Sequence, residues 1–570
     1  MLVRDFRRFA LVLGSAILLV LLCVRLVGPA GTETLLGLQV GDWPGGGGSP
    51  TSPEPLHEPP FEEAAAAQAL ALAQSQQSTL TDGSKGLNDA PLVSSPPPPP
   101  TKPSRFIGPN GEIVGFQPPS EVRPGGSGVP HTEIFSVSTK DRRYFPIRMG
   151  SAKVLNPNII PHPRLEAAWI VVAQKMGDRD EDDREPGLAV EPSLELVCTA
   201  IFIDGALTCI EADGRGFGEP TTLPVQPTSG DGTKCTGDLE FFNLNVGPHD
   251  ARVFYGPRDP YTIYGSNSNF NCFGQWIRDF RGLVPEAWGG QRSSSSSSSN
   301  AADEDDWMKA SSSSSSSGST WPRGPPAAHD EFASPNGTEL QRPPPYGAVE
   351  KNWFLFWDSD NVHYVHYDMT PRRAFARLNG DGSVGEDLGA GTGFAPARDN
   401  ACLARYLPDL AGQQHQHQGP GFHESLHQAT NSLSVTLCRR ADPGCTPDDG
   451  NTFVFAVVHH KVYRDFHSVY EPYVVVFRQR APFEVFAVGA RPLWVSGRQT
   501  TQSPGRAESS EMFYVTSISW KTKGLRYHGY VDDVMFLAFG IEDERAAGID
   551  VQAGSMLANL GLCDDGEGLV

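Results

Sequence analysis

The stretch from Leu194 to Ala212 reads LELVCTAIFIDGALTCIEA, and it decides the fold. Two apolar, β-branched runs, Leu194 to Phe202 and Ala206 to Ala212, flank Asp204-Gly205. Asp-Gly accepts the positive φ angles of a two-residue type I′ turn, whose twist matches that of the strands it joins, so the stretch reads as a β-hairpin. Such a turn sets Ala200 opposite Cys209. It leaves Cys198 diagonal to Cys209 on the same face, where a disulfide is allowed but not required.

Apolar or aromatic runs of similar length recur on both sides, at Trp169 to Gln174, Ala251 to Tyr255, Trp353 to Trp357, His363 to Tyr367, Phe453 to His459, Tyr473 to Arg478, Phe483 to Val488, Met512 to Trp520 and Val534 to Phe539. Few long segments carry a 3.6-residue period. A large unit of short antiparallel strands must dispose of its sheet edges, and radial repetition of small sheets does so. The expected fold class is therefore all-β, a five-bladed β-propeller head.

The chain has 570 residues, among them 60 Gly and 49 Pro, a share that implies long linkers and a folded part smaller than the length. Aromatic residues at 9% can fill a large core, and 39% apolar content argues against a polytopic membrane protein. A formal charge of -21 repels phosphate backbones, so no nucleic-acid partner is expected.

Arg4, Arg7 and Arg8 precede an uncharged apolar run from Phe9 to Val24, closed by Arg25. With Leu26 and Val27 it reads as a signal-anchor helix over 9–27, with residues 1–8 cytosolic by the positive-inside rule. The competing reading is a signal peptide cleaved near Ala30, in Gly28-Pro29-Ala30-Gly31. Residues 28–135 are rich in Pro, Gly, Ser and Ala and read as a disordered stalk, which leaves a head over 136–570. A Ser-rich block over 288–345 reads as a disordered insert in that head, and its sequon Asn336-Gly337-Thr338 marks Asn336 for glycosylation. Eight cysteines follow the anchor, an even number that suits disulfides in an oxidising lumen.

Polar clusters sit where strands start or stop. Arg258-Asp259-Pro260 follows an apolar strand; it reads as an Asx turn or as a catalytic carboxylate, Asp259, with Arg258 on phosphate. Glu350-Lys351-Asn352-Trp353 opens a strand with a carboxylate, an ammonium and an amide before an aromatic, suited to a solvated strand start or to a polar ligand. Asp358-Ser359-Asp360 matches the metal-binding pattern of nucleotide-sugar transferases, but its place between two strands favours turn chemistry. His427 and Asn431 lie in a polar run leading into a strand, while His460 and Glu471 flank a strand end and a strand start. His459 and His460 point to opposite faces of a strand, which disfavours a metal site, and none is expected. The densest cluster holds Trp520, His528, Tyr530, Asp532 and Asp533, aromatic faces for a pyranose beside adjacent carboxylates, or else an aromatic closing blade with an Asx turn.

The Arg-flanked anchor, the Pro-rich stem and Asn156-Pro157-Asn158, Arg258-Asp259-Pro260, Glu350-Lys351-Asn352-Trp353, and Tyr527-His528-Gly529-Tyr530 with Asp532-Asp533 together resemble a known family. The chain resembles fungal type II Golgi membrane proteins of the β-mannosyltransferase family (glycosyltransferase family 91) and, more distantly, five-bladed mannoside phosphorylase and transferase propellers. The resemblance covers about residues 150 to 560, and the Ser-rich insert departs from it. It implies mannosyl transfer to or from a mannoside in the Golgi membrane, with Arg258-Asp259-Pro260 resembling a phosphorylase-type catalytic Asp.

The expected function is thus a secretory-pathway glycosyltransferase using a glycan acceptor and a nucleotide-sugar donor. Asp259, Asp532 or Asp533 would move the proton; Arg258, Lys351 and His528 would hold phosphate; Trp353, Trp520 and Tyr530 would stack on sugar. A non-catalytic lumenal propeller that binds glycan or protein, or a secreted glycoside hydrolase, are the alternatives. The sugar-transfer reading requires that these strand-end groups gather at one mouth.

Overall fold

The computed structural model describes residues 105–115, 121–122, 130–176, 193–211, 216–226, 228–230, 233–244, 247–289, 332–390, 394–407, 423–464, 467–501 and 509–563. The expected anchor over 9–27 lies outside them, as does most of the Ser-rich block. Among the described residues no helix is long and apolar enough to cross a membrane.

The described chain is nearly all β. Five antiparallel meanders follow one another in sequence. The first is Val154–Pro161, Trp169–Lys175, Glu195–Ile203 and Ala206–Cys209; the second is His249–Tyr255, Pro260–Asn267, Phe273–Asp279 and Thr338–Glu339. The third is Phe354–Trp357, His363–Asp368 and Ala374–Arg377, and the fourth is Leu433–Thr436, Thr452–Arg464, His467–Arg478 and Val485–Gly489. The fifth, Phe513–Trp520, Val534–Ile541 and Arg545–Gln552, gains a further strand, Phe145–Arg148, from far upstream. Phe145–Arg148 also runs parallel to Ala206–Cys209, so first and last meanders share one sheet.

The first strand of each meander packs beside the first strand of the next. Side chains stitch them: Asn158 donates to Ala251 O and accepts from Val253 N, Tyr255 OH donates to Pro161 O at 3.1 Å, and Ser432 Oγ donates to Leu355 O at 2.6 Å. The Asn431 amide bonds Ile518 in both directions, at 2.9 and 3.1 Å, and Thr516 and Ser519 donate to Pro157 O and Ile159 O. Because Asn158 meets residue 251 while Pro161 meets Tyr255, these strands run parallel, and all their starts face one way. That defines an N-terminal rim and a C-terminal rim. Buried hydroxyls and amides take these roles because four of these first strands have a sheet neighbour on one side only, Leu433–Thr436 alone also pairing with His528–Tyr530, and the remaining polar groups need partners.

The hairpin at Asp204-Gly205 forms as the sequence predicts, with φ 49 and 77 at the two turn residues and Ala200 opposite Cys209. Cys198–Cys209 is a disulfide, and Cys235–Cys272, Cys402–Cys563 and Cys438–Cys445 are three more. Asp358 is a turn residue: its Oδ1 accepts from Asp360 N and Val362 N, both at 2.9 Å.

Two boundaries differ from the sequence reading. Residues 105–134, assigned to the stalk, carry strands: Phe106 pairs with Gly561, His131–Ile134 runs beside Leu493–Val495, and Ile107 and Ile134 are buried. Within the expected insert, Thr338–Glu339 completes the second meander and Phe332 and Leu340 are core. In both places a few apolar residues, diluted by Pro and Gly, find a preformed sheet or core to join, which window composition does not register.

Candidate functional site

At the N-terminal rim three residues take left-handed backbone: Asn156 (φ 51), Asp250 (φ 51) and Asn352 (φ 63). Asn and Asp tolerate this conformation better than other side-chain-bearing residues, and irregular register beside Asn156 and Asp250 marks β-bulges, which re-aim side chains. Asn156 Nδ2 donates to Asp250 Oδ1 at 2.7 Å. Two residues on, the buried Arg252 donates from Nη2 to Asn352 Oδ1 at 2.9 Å and to Tyr514 OH at 3.4 Å. Half-buried Asp250 is thereby fixed in orientation while part of it stays accessible.

The fourth meander adds a wall through its long hairpin. His459, Tyr470 and Tyr514 form a triangle of rings with centroids 4.8 to 5.5 Å apart. His459 Nε2 accepts from Val515 N at 3.3 Å, so the proton sits on Nδ1, which has no partner among the described residues. Burial first, then the neighbouring His427, Arg252 and Arg498, hold His459 well below the usual imidazole range, and it stays neutral. Lys461 Nζ lies 5.4 Å from the Tyr470 ring centroid. His427, opposite His459 across the strand pair, meets Ser425 Oγ at 2.7 Å. Burial, with Lys461 and Lys351 nearby, pushes its pKa down to about 3. The rim thus joins one carboxylate to a wall of Arg252, Lys351 and Lys461 with neutral imidazoles between them.

His460 faces the other side of the hairpin. Its Nε2 is 3.8 Å from Glu424, and Glu471, opposite it in register, pairs with His131 at 2.7 Å and Arg498 at 3.4 Å. Burial works to raise the Glu471 pKa, but Arg498 and His131 outweigh it and hold the carboxyl below its ordinary range. Glu350 is buried between Arg342, Gly347 N and the Trp353 indole N–H.

Arg258, Asp259, His528, Tyr530, Asp532 and Asp533 lie at the C-terminal rim. Asp259 is in an ion pair with Arg281 at 2.8 Å, and the carbonyl of exposed Arg258 accepts from Arg526. Asp532 accepts from Arg440 N at 2.7 Å; Asp533 accepts from Tyr530 N at 2.8 Å and Arg440 Nη2 at 2.6 Å. Arg440 covers the Tyr530 ring at 4.2 Å, and His528 meets Thr436 Oγ1 at 2.8 Å, its pKa lowered to about 4 by burial and then by Arg440. Trp520 is fully buried and donates to Tyr527 O, with Gly529 against its indole, where a Cβ would come within 2.6 Å. Trp353 and Trp520, expected as sugar platforms, are core residues whose indole faces do not reach solvent. Asn336 is exposed in the turn closed by Gly337 N and Ser334 O.

The single mouth expected from sequence is therefore two rims. Lys351, Asn352 and His427 gather at one; Arg258, Asp259, His528, Tyr530, Asp532 and Asp533 gather at the other; Asn431 ties strands in between. Asp250 was missed because its strand was begun at Ala251. The available signal was His249-Asp250-Ala251-Arg252 before Val-Phe-Tyr, the same polar-start, aromatic-strand pattern as Glu350-Lys351-Asn352-Trp353.

No protein-family model matches the chain. No curated protein matches it either. Among solved structures it is similar to a β-1,2-mannobiose phosphorylase from Listeria innocua (10% identity, TM-score 0.32, 74% of this chain and 95% of that one). It is also similar to the mannose phosphorylase MPT-4 from Leishmania mexicana (9%, 0.31, 74% and 92%) and to a GH43 endo-arabinanase from Bacillus licheniformis (9%, 0.29, 71% and 96%).

Proposed function

We propose that the protein is a carbohydrate-active enzyme and, within that class, a glycosyltransferase that moves a mannosyl group from a phosphate-bearing donor to a glycan acceptor. The five meanders are the blades of a five-bladed propeller, their first strands innermost, and the N-terminal rim is its mouth. One observation carries this reading: the Asp250 carboxylate, oriented by Asn156, stands on the same strand as Arg252, which leads through Asn352 and Tyr514 to the cationic wall. Carboxylate, cations and neutral donors side by side suit a sugar whose leaving group is a phosphate.

In the transfer, the acceptor oxygen forms a bond to the anomeric carbon as the bond from that carbon to the phosphate oxygen breaks. The acceptor O–H proton passes to Asp250, and Arg252, Lys351 and Lys461 stabilise the departing phosphate. His459, held neutral with its proton on Nδ1, and Asn352 offer hydrogen bonds to hydroxyls without adding charge. This reading moves the acid–base role from Asp259, Asp532 and Asp533 to Asp250, and keeps Lys351, Asn352 and His427 as binding residues. A Golgi lumen, reached through a single-pass type II anchor over 9–27, agrees with four disulfides that use all eight cysteines of the described residues.

The test is full-length, detergent-solubilised protein with a panel of nucleotide sugars and sugar phosphates, with and without glycan acceptors. Transfer that disappears in Asp250→Asn and persists in Asp259→Asn is expected. Failure to bind or consume any donor would overturn the reading. Release of sugar to water with the same Asp250 dependence would replace transfer by hydrolysis.

A further inference from the structure

The bulge that presents Asp250 is held from the neighbouring meander. Asp250 N donates to Gln174 Oε1 at 3.3 Å, and the next amide, Ala251 N, donates to Glu195 Oε1 at 3.0 Å. Gln174 and Glu195 are register partners on adjacent strands, so one cross-strand pair takes two consecutive N–H groups of another sheet's bulge. Asn158 completes the grip: its Nδ2 donates to Ala251 O at 2.6 Å and its Oδ1 accepts from Val253 N at 3.2 Å. A bulged residue in left-handed backbone cannot place these N–H groups in its own ladder, and a buried N–H left unpaired is costly.

We propose that Glu195 and Gln174 are positioning residues for Asp250, a side-chain clamp on the strand bulge that aims the carboxylate, and that Glu195 serves in its protonated form. The inference rests on Asp250 as the acid–base group, but the clamp itself is independent of the reaction. Glu195 is fully buried, and burial raises its pKa to about 8, opposed by the Ala251 N–H bond and aided by the Asp250 charge. The ionisable residues on the strand across from it are His249, bonded to Ser193 Oγ at 2.9 Å, Asp250, Arg252, which donates to Asn352 and Tyr514, and Tyr255, which donates to Pro161 O. Gln174 beside it, Asn156 and Asn158 on the first strand, and Leu223, whose N donates to Glu195 O, carry no charge. A neutral carboxyl there holds the amide without setting a second negative charge beside Asp250; an ionised one repels it.

The experiment compares full-length wild type, Glu195→Gln, Glu195→Leu and Gln174→Leu by sugar-transfer kinetics from pH 5 to 9.5 and by amide hydrogen exchange of the 249–255 segment. Glutamine copies the protonated glutamate, so Glu195→Gln keeps kcat at pH 7 and loses the decline that wild type shows above about pH 8. Both leucine variants lose kcat by about 100-fold with KM little changed, since a misplaced carboxylate binds substrate but does not react. Their segment exchanges about tenfold faster, while that of Glu195→Gln does not. Leucine variants with wild-type kcat and protection, or a glutamine variant as impaired as the leucine one, overturn the proposal. If wild type transfers no sugar, the functional reading falls and the exchange data alone decide the clamp.

Discussion

Asn156 and Asp250 open two neighbouring strands with the same left-handed backbone, φ 51 in each, and are joined amide to carboxylate across 2.7 Å. Asn156 Oδ1 lies over Gly540, where a Cβ would stand 3.1 Å from it, and Nδ2 faces Asp250, whose carboxylate accepts only from the NH2 end of the amide. Two positions that cost conformational energy are thus spent on orienting one carboxylate.

Asp250→Asn removes the proton acceptor and keeps the shape. Transfer by this variant is expected to fall by about 10³-fold, within the range of general acid–base contributions, with an unchanged melting temperature. Asn156→Ala leaves the carboxylate in place but free to rotate, and a smaller loss, about tenfold to 100-fold, is expected in kcat. Equal effects of both changes would mean that the pair acts as a structural unit.

At the opposite rim the expected outcome is reversed. Asp533 holds Tyr530 N and the Arg440 guanidinium, with Arg440 about half exposed. Asp533→Ala is expected to cost about 1 kcal/mol in denaturant unfolding while kcat stays near wild type. A large loss of kcat in a folded Asp533→Ala protein would return the reacting centre to this rim.

Much of the strand pattern was legible because sheet-buried runs such as Phe453 to His459 and Val534 to Phe539 are continuous in apolar residues. Among the strands that were missed are two rich in polar residues. Val154–Pro161 carries Asn156, Pro157, Asn158 and Pro161, and Phe273–Asp279 carries Gln275, Arg278 and Asp279; all seven residues of the latter are buried. The Asn156 and Asn158 side chains serve contacts between sheets and Asp279 holds the Arg281 turn, roles that no single-strand period reveals. The same cause hid Asp250. Its meaning depends on Asn156, which precedes it by 94 positions, and on Asn352, which follows it by 102. Conversely, Asp532-Asp533 looked reactive because adjacent carboxylates repel, yet Arg440, remote in sequence, neutralises that repulsion.

Cys402–Cys563 spans 161 residues and fastens the helix Phe394–Tyr406 to the C-terminal strand Leu560–Leu562, whose neighbour Val485–Gly489 belongs to the fourth meander. Loop-closure entropy puts the loss on Cys402→Ser/Cys563→Ser at about 5 kcal/mol at most. The double variant is expected to unfold at distinctly lower urea concentration, and an unchanged midpoint would show that the helix is held by packing alone.

Asn336 is exposed in a turn, with Thr338 starting the strand that follows. In a secreted or lumenal setting the sequon is open to glycosylation before or after folding. Protein made in a eukaryotic secretory host is expected to lose mass on amidase treatment, and Asn336→Gln to abolish that shift. A wild-type band that does not move would argue against lumenal exposure of this turn.

Glu195 also sets how stability follows pH. An unfolded Glu releases its proton near 4.5, whereas burial holds the folded carboxyl protonated up to about 8. Between those values the native state keeps a proton that the unfolded chain has lost. The stabilisation is therefore complete below about pH 4.5 and declines as pH rises, until it is gone above about 8. At pH 7 the loss is on the order of 3 kcal/mol, an upper figure for a group that relaxes on ionising. Glu195→Gln has no proton to lose, so its urea midpoint is expected to vary less between pH 5 and 8 than that of wild type, with the two proteins diverging most at the alkaline end. Parallel profiles would mean that Glu195 ionises in the folded state at an ordinary pH, which its full burial and its place beside Asp250 make costly.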